Sequence, residues 1–310
     1  MTVLLYDGRD FGRDAWVEAV LHHFADCEVR VAPQTGDPAD IDYVLVAGPQ
    51  FTPLGTYPNL RGVLSQWAGV NHILADATLK PGIPIVRMTD LSLKTGMTEY
   101  VTYHVLRHHL RAPDYERQQR ERVWKPLDAP MAPNRTVGIL GLGTLGRDLA
   151  ERLVHLRFQV RGWSRTRKEM EGVTCFAGTG ELQDFLRVSE ILVCLLPLTP
   201  ETEDILDADL FAALPRGAYL VHAGRGPHLV EADLLQALAD GQLSGATLDV
   251  FREEPLPVGH PFWTHPNITL TPHMASLTRP ETGIAYLREA FEALERGERP
   301  ASLVDREAGY

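Results

Sequence analysis

"TVGILGLGTLG", Thr136 to Gly146, decides how the rest of the chain is read. An apolar run of strand character enters the glycine-rich GLGTLG, Gly141 to Gly146, and "RDLAERLVHL" beyond it has helical apolar spacing. A lone GxGxxG says little in a chain with 26 glycines. Placed between a strand and a helix, with a second strand "FQVRGW" after it, the pattern marks a dinucleotide-binding unit. Gly141 permits the tight turn, Gly143 lets backbone amides approach a pyrophosphate, and Gly146 lets the helix lie close to the strand. A helix beginning near Leu145 would then turn its N-terminal amides toward the diphosphate.

Some twenty residues on, such a unit usually ends its second strand in an acid that accepts the ribose hydroxyls. Here the stretch is "WSRTRK", Trp163 to Lys168, with Ser164 where the acid would stand and Arg165, Arg167 and Lys168 behind it. A carboxylate would repel a 2′-phosphate, whereas serine can donate to it and arginine can pair with it. The plain alternative is a solvated basic loop. Against it, the chain carries a net charge of −11, so three cations together are a local exception. The stretch therefore reads as a 2′-phosphate cradle and the cofactor as NADP(H) ahead of NAD(H), with Arg165 first, Arg167 second and Lys168 a weaker helper.

At 310 residues the chain is long for one core, and two domains are expected. Before the glycine turn, "TVLLYD", "RDAWVEAVLHHF", "EVRVA", "DYVLVAG", "RGVLSQWAGVNHIL" and "PIVRM" alternate strand and helix patterns, as βαβ units of a parallel sheet do. A long helical pattern from about Met97 to Val123 follows, either a solvated linking helix or a dimer arm. Past the glycine turn, "EILVCLLP", "GAYLVHAG" and "GATLDVF" read as further strands, and "PETGIAYLREAFEALERGERP" as a last helix. Periodicity alone leaves open whether that tail returns to the first domain.

The acidic balance speaks against nucleic acid and anionic membrane as partners. No apolar stretch approaches eighteen residues and the first residues lack a basic, then apolar, leader pattern, so no membrane association is expected. Three scattered cysteines, Cys27, Cys175 and Cys194, without a CxxC pair, suggest reduced thiols in the cytoplasm and no metal site.

Open α/β sheets bind ligands beyond the C-terminal ends of their strands, and three chemically apt residues fall at such ends: Arg225, Glu254 and His273. Singly each has a dull reading. Together they suit reduction of a 2-keto acid: arginine for carboxylate and carbonyl, histidine for the proton, and a carboxylate to orient the imidazole.

The ordered set "GLGTLG", "LPLTPET", "HAGRG", "LDVFREEPLP" and "TPHMAS" resembles the D-2-hydroxyacid dehydrogenase family over nearly the whole chain. "WSRTRK", "TPHMASLTRP" and the ending "VDREAGY" are similar to its glyoxylate/hydroxypyruvate reductase A branch. The resemblance implies an α/β fold in which a Rossmann dinucleotide-binding domain is inserted in a flavodoxin-like substrate domain. The substrate domain would comprise residues 1–96 and 279–310. The NADP-binding domain would comprise residues 97–278, with a linking helix at about 97–123, the active site between the domains and a homodimer built on that helix.

The resemblance also implies roles. Arg225 would grip the substrate, His273 would be the general acid/base and Glu254 its partner, with Glu253 a bystander. Asp249 would sit near the nicotinamide amide, Leu196 and Pro197 beside adenosine or ribose, and Thr202 near the diphosphate. Backbone amides of Ala68, Gly69 and Val70 would receive the substrate carboxylate, with Arg279 approaching it. Trp67 departs from the small residue usual before that loop and puts substrate length in doubt.

These features lead to an NADPH-preferring reductase that takes glyoxylate to glycolate and hydroxypyruvate to D-glycerate. The rivals are a D-lactate or phosphoglycerate type dehydrogenase and a nucleotide-sensing, corepressor-like binding protein on the same scaffold.

Overall fold

The computed structural model describes residues 1–8 and 13–306, so Glu307 to Tyr310 of the "VDREAGY" ending lie outside the described residues. The chain forms two compact units, Met1–Leu93 with Leu277–Tyr310, and Lys94–Ser276.

In the first unit the order is β1 (Val3–Gly8), α1 (Arg13–His23), β2 (Glu28–Val31), β3 (Tyr43–Ala47), β4 (Gly62–Ser65), α2 (Asn71–Leu74) and β5 (Ile85–Val86). The strands pair in parallel as β2-β1-β3-β4-β5, the flavodoxin-like arrangement. Both faces of this sheet are covered, which is why its strands read as continuous apolar runs. Leu4, Tyr6, Leu45 and Leu64 pack on α1 through Trp16 and Val20. Their neighbours Val3, Leu5, Val44, Val46 and Val63 face Leu54, Tyr57 and Ile73. Each such fully buried side chain contributes about 1.5–3 kcal/mol.

The helical pattern expected over Met97 to Val123 is two helices, α3 (Leu91–His109) and α4 (Ala112–Glu121). The start lies earlier because the buried Asp90 carboxylate accepts from the Ser92 and Leu93 amides, capping the first turn. The break has two local causes. Pro113 in the first turn of α4 has no N–H for a carbonyl four residues back, and Arg111 turns left-handed at φ 58°.

The second unit continues with β6 (Thr136–Leu140), α5 (Thr144–His155), β7 (Gln159–Ser164), β8 (Val173–Ala177), α6 (Leu182–Leu186), β9 (Ile191–Cys194) and α7 (Ala208–Ala213). β10 (Ala218–His222), α8 (Glu231–Ala239), β11 (Leu243–Leu248) and β12 (Ile268–Leu270) complete it. All strands are parallel, in the order β12-β11-β10-β9-β6-β7-β8. Val137, Ile139, Ile191 and Val193 face α3 and α5, while Leu140, Leu192 and Leu220 face α6, α7 and α8. Strand order reverses between β6 and β9, the place where sheets of this kind open a ligand crevice.

One strand of this sheet, β8, carries no clear sequence signal: it is an edge strand with half-buried or exposed residues, and the other edge, β12, is only three residues long. Beyond β12 the chain returns to the first unit as α9 (Pro280–Glu295), whose Ile284, Leu287 and Phe291 enter the core beside Trp16 and Phe24. The glycine-turn domain is therefore an insertion, as the family resemblance implies. Among the described residues, no helix is long and apolar enough to cross a membrane.

Candidate active site

The glycine turn joins β6 to α5, and Gly141 and Gly146 each have a steric reason. Gly141 adopts φ 104°, and a Cβ there would lie 2.8 Å from the Leu195 carbonyl oxygen at the end of β9. A Cβ on Gly146 would stand 1.8 Å from the Gly141 oxygen, so only glycine lets α5 start this close to the strand. Gly143 differs: a Cβ would meet nothing within 4 Å. It is the N-cap of α5, which begins at Thr144, one residue before Leu145, and no side chain caps that end. An open space before uncapped helix amides fits a diphosphate.

Ser164 is the last residue of β7 and is buried, its Oγ donating to the Thr166 carbonyl at 2.8 Å. Arg165 is exposed, and its charge reaches Glu201. Arg167 is exposed as well, but it donates to the Cys175 carbonyl at 2.9 Å and pairs with Glu181. Glu181 in turn accepts from the Ala177 amide at 2.8 Å. Arg167 thus braces the loop against β8, a partner that the bare run of cations in the sequence does not reveal.

Leu196 and Pro197 follow β9. Thr202 folds this loop on itself, donating through Oγ1 to the Pro197 carbonyl at 2.7 Å and accepting from the Thr199 amide at 2.8 Å.

Arg225, Glu254 and His273 lie beyond the ends of β10, β11 and β12, and the fold brings them together. His273 Nδ1 and Glu254 Oε2 are 2.7 Å apart. The second Glu254 oxygen accepts from the Phe251 amide at 2.9 Å, which fixes the carboxylate plane. Partial burial alone would raise the Glu254 carboxyl, but the hydrogen bonds from His273 and Phe251 and the Arg225 cation outweigh it and hold it below the usual range. Arg225 is half-buried, donating through Nη1 to the Gly224 carbonyl at 2.7 Å. Burial lowers its guanidinium while the nearby Glu254 charge opposes the shift. Glu253, exposed beside Glu254, takes no part in the pair with His273.

His273 sits at φ 50°, a left-handed conformation that a non-glycine residue holds only when its surroundings impose it. Asp249 helps to impose it. Its backbone carbonyl accepts from the His273 amide at 2.8 Å. Its carboxylate accepts from Thr271 Oγ1 at 2.6 Å and from the Met274 and Ala275 amides at 2.9 Å each. Asp249 is 1% exposed, and burial raises its carboxyl against those three hydrogen bonds. The observed work of Asp249 is to hold the turn around His273.

Ala68, Gly69 and Val70 belong to the first unit, in the turn between β4 and α2, with Val70 as the N-cap of α2. Trp67 before them is pinned by its amide to Ser65 Oγ at 3.1 Å and packs edge-on to His72. Arg279 is exposed at the N-cap of α9, also in the first unit.

Several contributors received no role in the motif reading, although "HAGRG" contains two of them. Gly226 is one: a Cβ would fall 1.8 Å from the Phe251 oxygen, so glycine lets the Arg225 loop lie against the strand end that leads to Glu254. His222 and His228 are others, both fully buried on either side of Arg225. The usable signal was a histidine closing the otherwise apolar strand "AYLVH", repeated six residues later.

A parallel nucleotide fold with a histidine–carboxylate pair and an arginine at neighbouring strand ends defines a dehydrogenase-like site, and the comparisons agree. Residues 102–275 match the family described as D-isomer specific 2-hydroxyacid dehydrogenase, NAD binding domain. A glyoxylate/hydroxypyruvate reductase A from Serratia proteamaculans (strain 568) is 43% identical over 305 residues, 97% of each chain. A D-isomer specific 2-hydroxyacid dehydrogenase from Xanthobacter autotrophicus Py2, solved with NADPH and MES, is 41% identical with a TM-score of 0.93 over 100% of this chain and 99% of that one. An NADPH-dependent glyoxylate/hydroxypyruvate reductase from Sinorhizobium meliloti, solved with NADP and sulfate, is 36% identical with a TM-score of 0.93 over 100% of both. The chain belongs to the D-isomer specific 2-hydroxyacid dehydrogenase family.

Proposed function

We propose that the chain is an NADPH-preferring reductase of small 2-keto acids, converting glyoxylate to glycolate and hydroxypyruvate to D-glycerate. The observation that carries this reading is the 2.7 Å pair of His273 with Glu254, beside Arg225. Bound NADPH would supply the hydride. Glu254 accepts from Nδ1, which leaves Nε2 of His273 to give a proton to the carbonyl oxygen as the alkoxide forms. Arg225 offers a planar fork to the substrate carboxylate and the carbonyl.

The cofactor is assigned to Gly141, Gly143, Leu145 and Gly146 at the diphosphate, Ser164, Arg165 and Arg167 at the 2′-phosphate, and Leu196, Pro197, Thr202 and Asp249 along the rest. The first unit serves as the substrate domain, with the amides of Ala68 to Val70 and the Arg279 side chain as substrate contacts. Relatives with NADPH or NADP bound support the cofactor preference.

The test is a panel of 2-keto acids followed by loss of NADPH or NADH absorbance. Turnover of glyoxylate and hydroxypyruvate with NADPH ahead of NADH is expected. A protein that binds NADPH and reduces none of them is a nucleotide-sensing binding protein instead.

A homodimer through α3, α4 and the segment after them accompanies this reading. Tyr115 and Val123 are exposed there and Trp124 is 99% exposed, an apolar display suited to a second copy. Light scattering should return twice the monomer mass, and Trp124→Ala should weaken the association. A cytoplasmic setting agrees with the three free cysteines.

A further inference from the structure

Arg225 is gripped by two histidines that the reduction itself does not use. His222 Nε2 donates to the Arg225 carbonyl at 3.0 Å, and His228 Nδ1 accepts from the Arg225 amide at 3.0 Å. Both backbone polar groups of the residue are therefore held by buried rings. The far edge of His228 reaches another loop, Nε2 standing 3.2 Å from the Pro197 carbonyl, which also receives Thr202 Oγ1.

These partners fix the tautomer. A carbonyl only accepts and an amide only donates, so His228 carries its proton on Nε2 and a lone pair on Nδ1. Burial, with the Arg225 charge adding, holds His228 at about 4 against the hydrogen bond to Pro197, so the ring stays neutral in this form at ordinary pH.

The seat around the ring is shared by both loops. A Cβ on Gly224 would lie 2.9 Å from His228 Nδ1 and 3.3 Å from the Leu196 oxygen. Further along, the Leu206 amide donates to the His228 carbonyl and the Asp204 amide to that of Pro227, each at 2.9 Å. Ligand atoms of Cys194, His222 and His228 lie within 4.8 Å of one another, but both His228 nitrogens already have partners.

We propose that His228 is a positioning residue that couples the two ligands: one edge of its ring sets Arg225 for the keto acid and the other sets the Pro197 loop for the nucleotide. The inference rests on the assignment of Arg225 to substrate and of Leu196–Pro197 to cofactor. An NADPH molecule that orders the Pro197 loop thereby steadies Arg225, and a bound carboxylate acts back on the nucleotide by the same factor.

Two near-isosteric variants of the full chain separate the edges. In His228→Asn the amide oxygen takes the place of Nδ1, keeping the Arg225 contact and losing Pro197. In His228→Gln the amide nitrogen takes the place of Nε2, keeping Pro197 and losing Arg225. Dissociation constants for NADPH and for oxamate, which presents a carboxylate and carbonyl but is not reduced, are measured alone and together. In the wild type, NADPH should tighten oxamate at least about fivefold. His228→Asn should weaken NADPH and His228→Gln should weaken oxamate, each by roughly 5- to 50-fold, and in both the coupling should fall toward unity.

Wild-type coupling retained in both variants, equal losses of both ligands in both variants, or no coupling in the wild type would overturn the inference. That last measurement needs no variant and so stands even if the substitutions impair folding. A wild type that binds NADPH and reduces glyoxylate while failing these tests sinks the coupling alone. One that does neither sinks the functional reading beneath it.

Discussion

Beyond β10, β11 and β12 an exposed histidine–carboxylate pair stands beside a half-buried arginine set between buried histidines, whereas beyond β7 the arginines are exposed. His273 is held by Glu254 and by the Asp249 turn, and Arg225 by two buried histidines. On the opposite flank of the same sheet, Arg165 is exposed and Arg167 leans on an exposed ion pair with Glu181. The difference follows the task proposed for each flank. Charge developing in a reaction calls for groups already oriented. Choosing between two cofactors that differ by one phosphate needs only charge near that phosphate, and solvent and salt weaken such charge. Substitutions on the tied flank should therefore cost far more than those on the exposed one.

The largest loss is expected from His273→Gln, which should lower the reductive kcat roughly 10²- to 10⁴-fold, the scale of general acid–base catalysis. NADPH binding, followed by fluorescence, should stay within about twofold. Near-normal turnover in a folded variant would erase the contrast between the flanks.

Arg225→Lys comes next. A point cation cannot reproduce a planar fork meeting carboxylate and carbonyl, so kcat/KM for glyoxylate should fall roughly 10- to 100-fold. Unchanged kinetics would remove the clamp.

Glu254→Gln sharpens the comparison through pH. Without the carboxylate that orients the imidazole, the reductive kcat should fall. Stability offers a second reading. The Glu254 carboxyl is held below its ordinary value of 4.5 in the folded protein. Its stabilisation is thus full above that value and fades as pH falls through the depressed one. The Tm gap between wild type and variant should be widest near neutrality and close in acid. A Tm gap that does not narrow in acid would give the pairing to another group.

The smallest effects belong to the exposed flank. Arg165→Ala with Arg167→Ala should weaken NADPH about tenfold and leave NADH nearly unchanged, since screening reduces what both cations contribute and the Glu181 pairing further reduces the share of Arg167. Adding Ser164→Asp should turn the preference to NADH, by accepting ribose hydroxyls and repelling the 2′-phosphate. The parent's NADPH advantage should also shrink as salt rises. Equal losses for both cofactors would make "WSRTRK" an ordinary solvated loop.

How much of this was legible in the chain follows the same divide between local and distant cause. The glycine turn could be read because its causes are local: Gly141 takes a positive φ, and Gly146 meets the Gly141 carbonyl five residues away. The catalytic three could be read from strand ends. β8 could not, because an edge strand need not be continuously apolar. The break at Arg111 hid in a polar helical pattern although Pro113 marked it. Roles that depend on a distant partner were invisible: Arg167 meets Glu181 fourteen positions away, and His228 meets Pro197 thirty-one positions away.

The interleaving of the two units sets an order of events during translation. The sheet formed by residues up to Leu93 leaves the ribosome first, yet α9, which packs beside Trp16 and Phe24, is made only after the whole inserted unit. At about 5–20 residues per second that delay is roughly 10–40 s. The inserted unit has all its strands before the first unit can close, so the beginning of the chain completes its fold last. Until then the apolar face awaiting Ile284, Leu287 and Phe291 stays uncovered, the kind of surface through which incomplete folds aggregate.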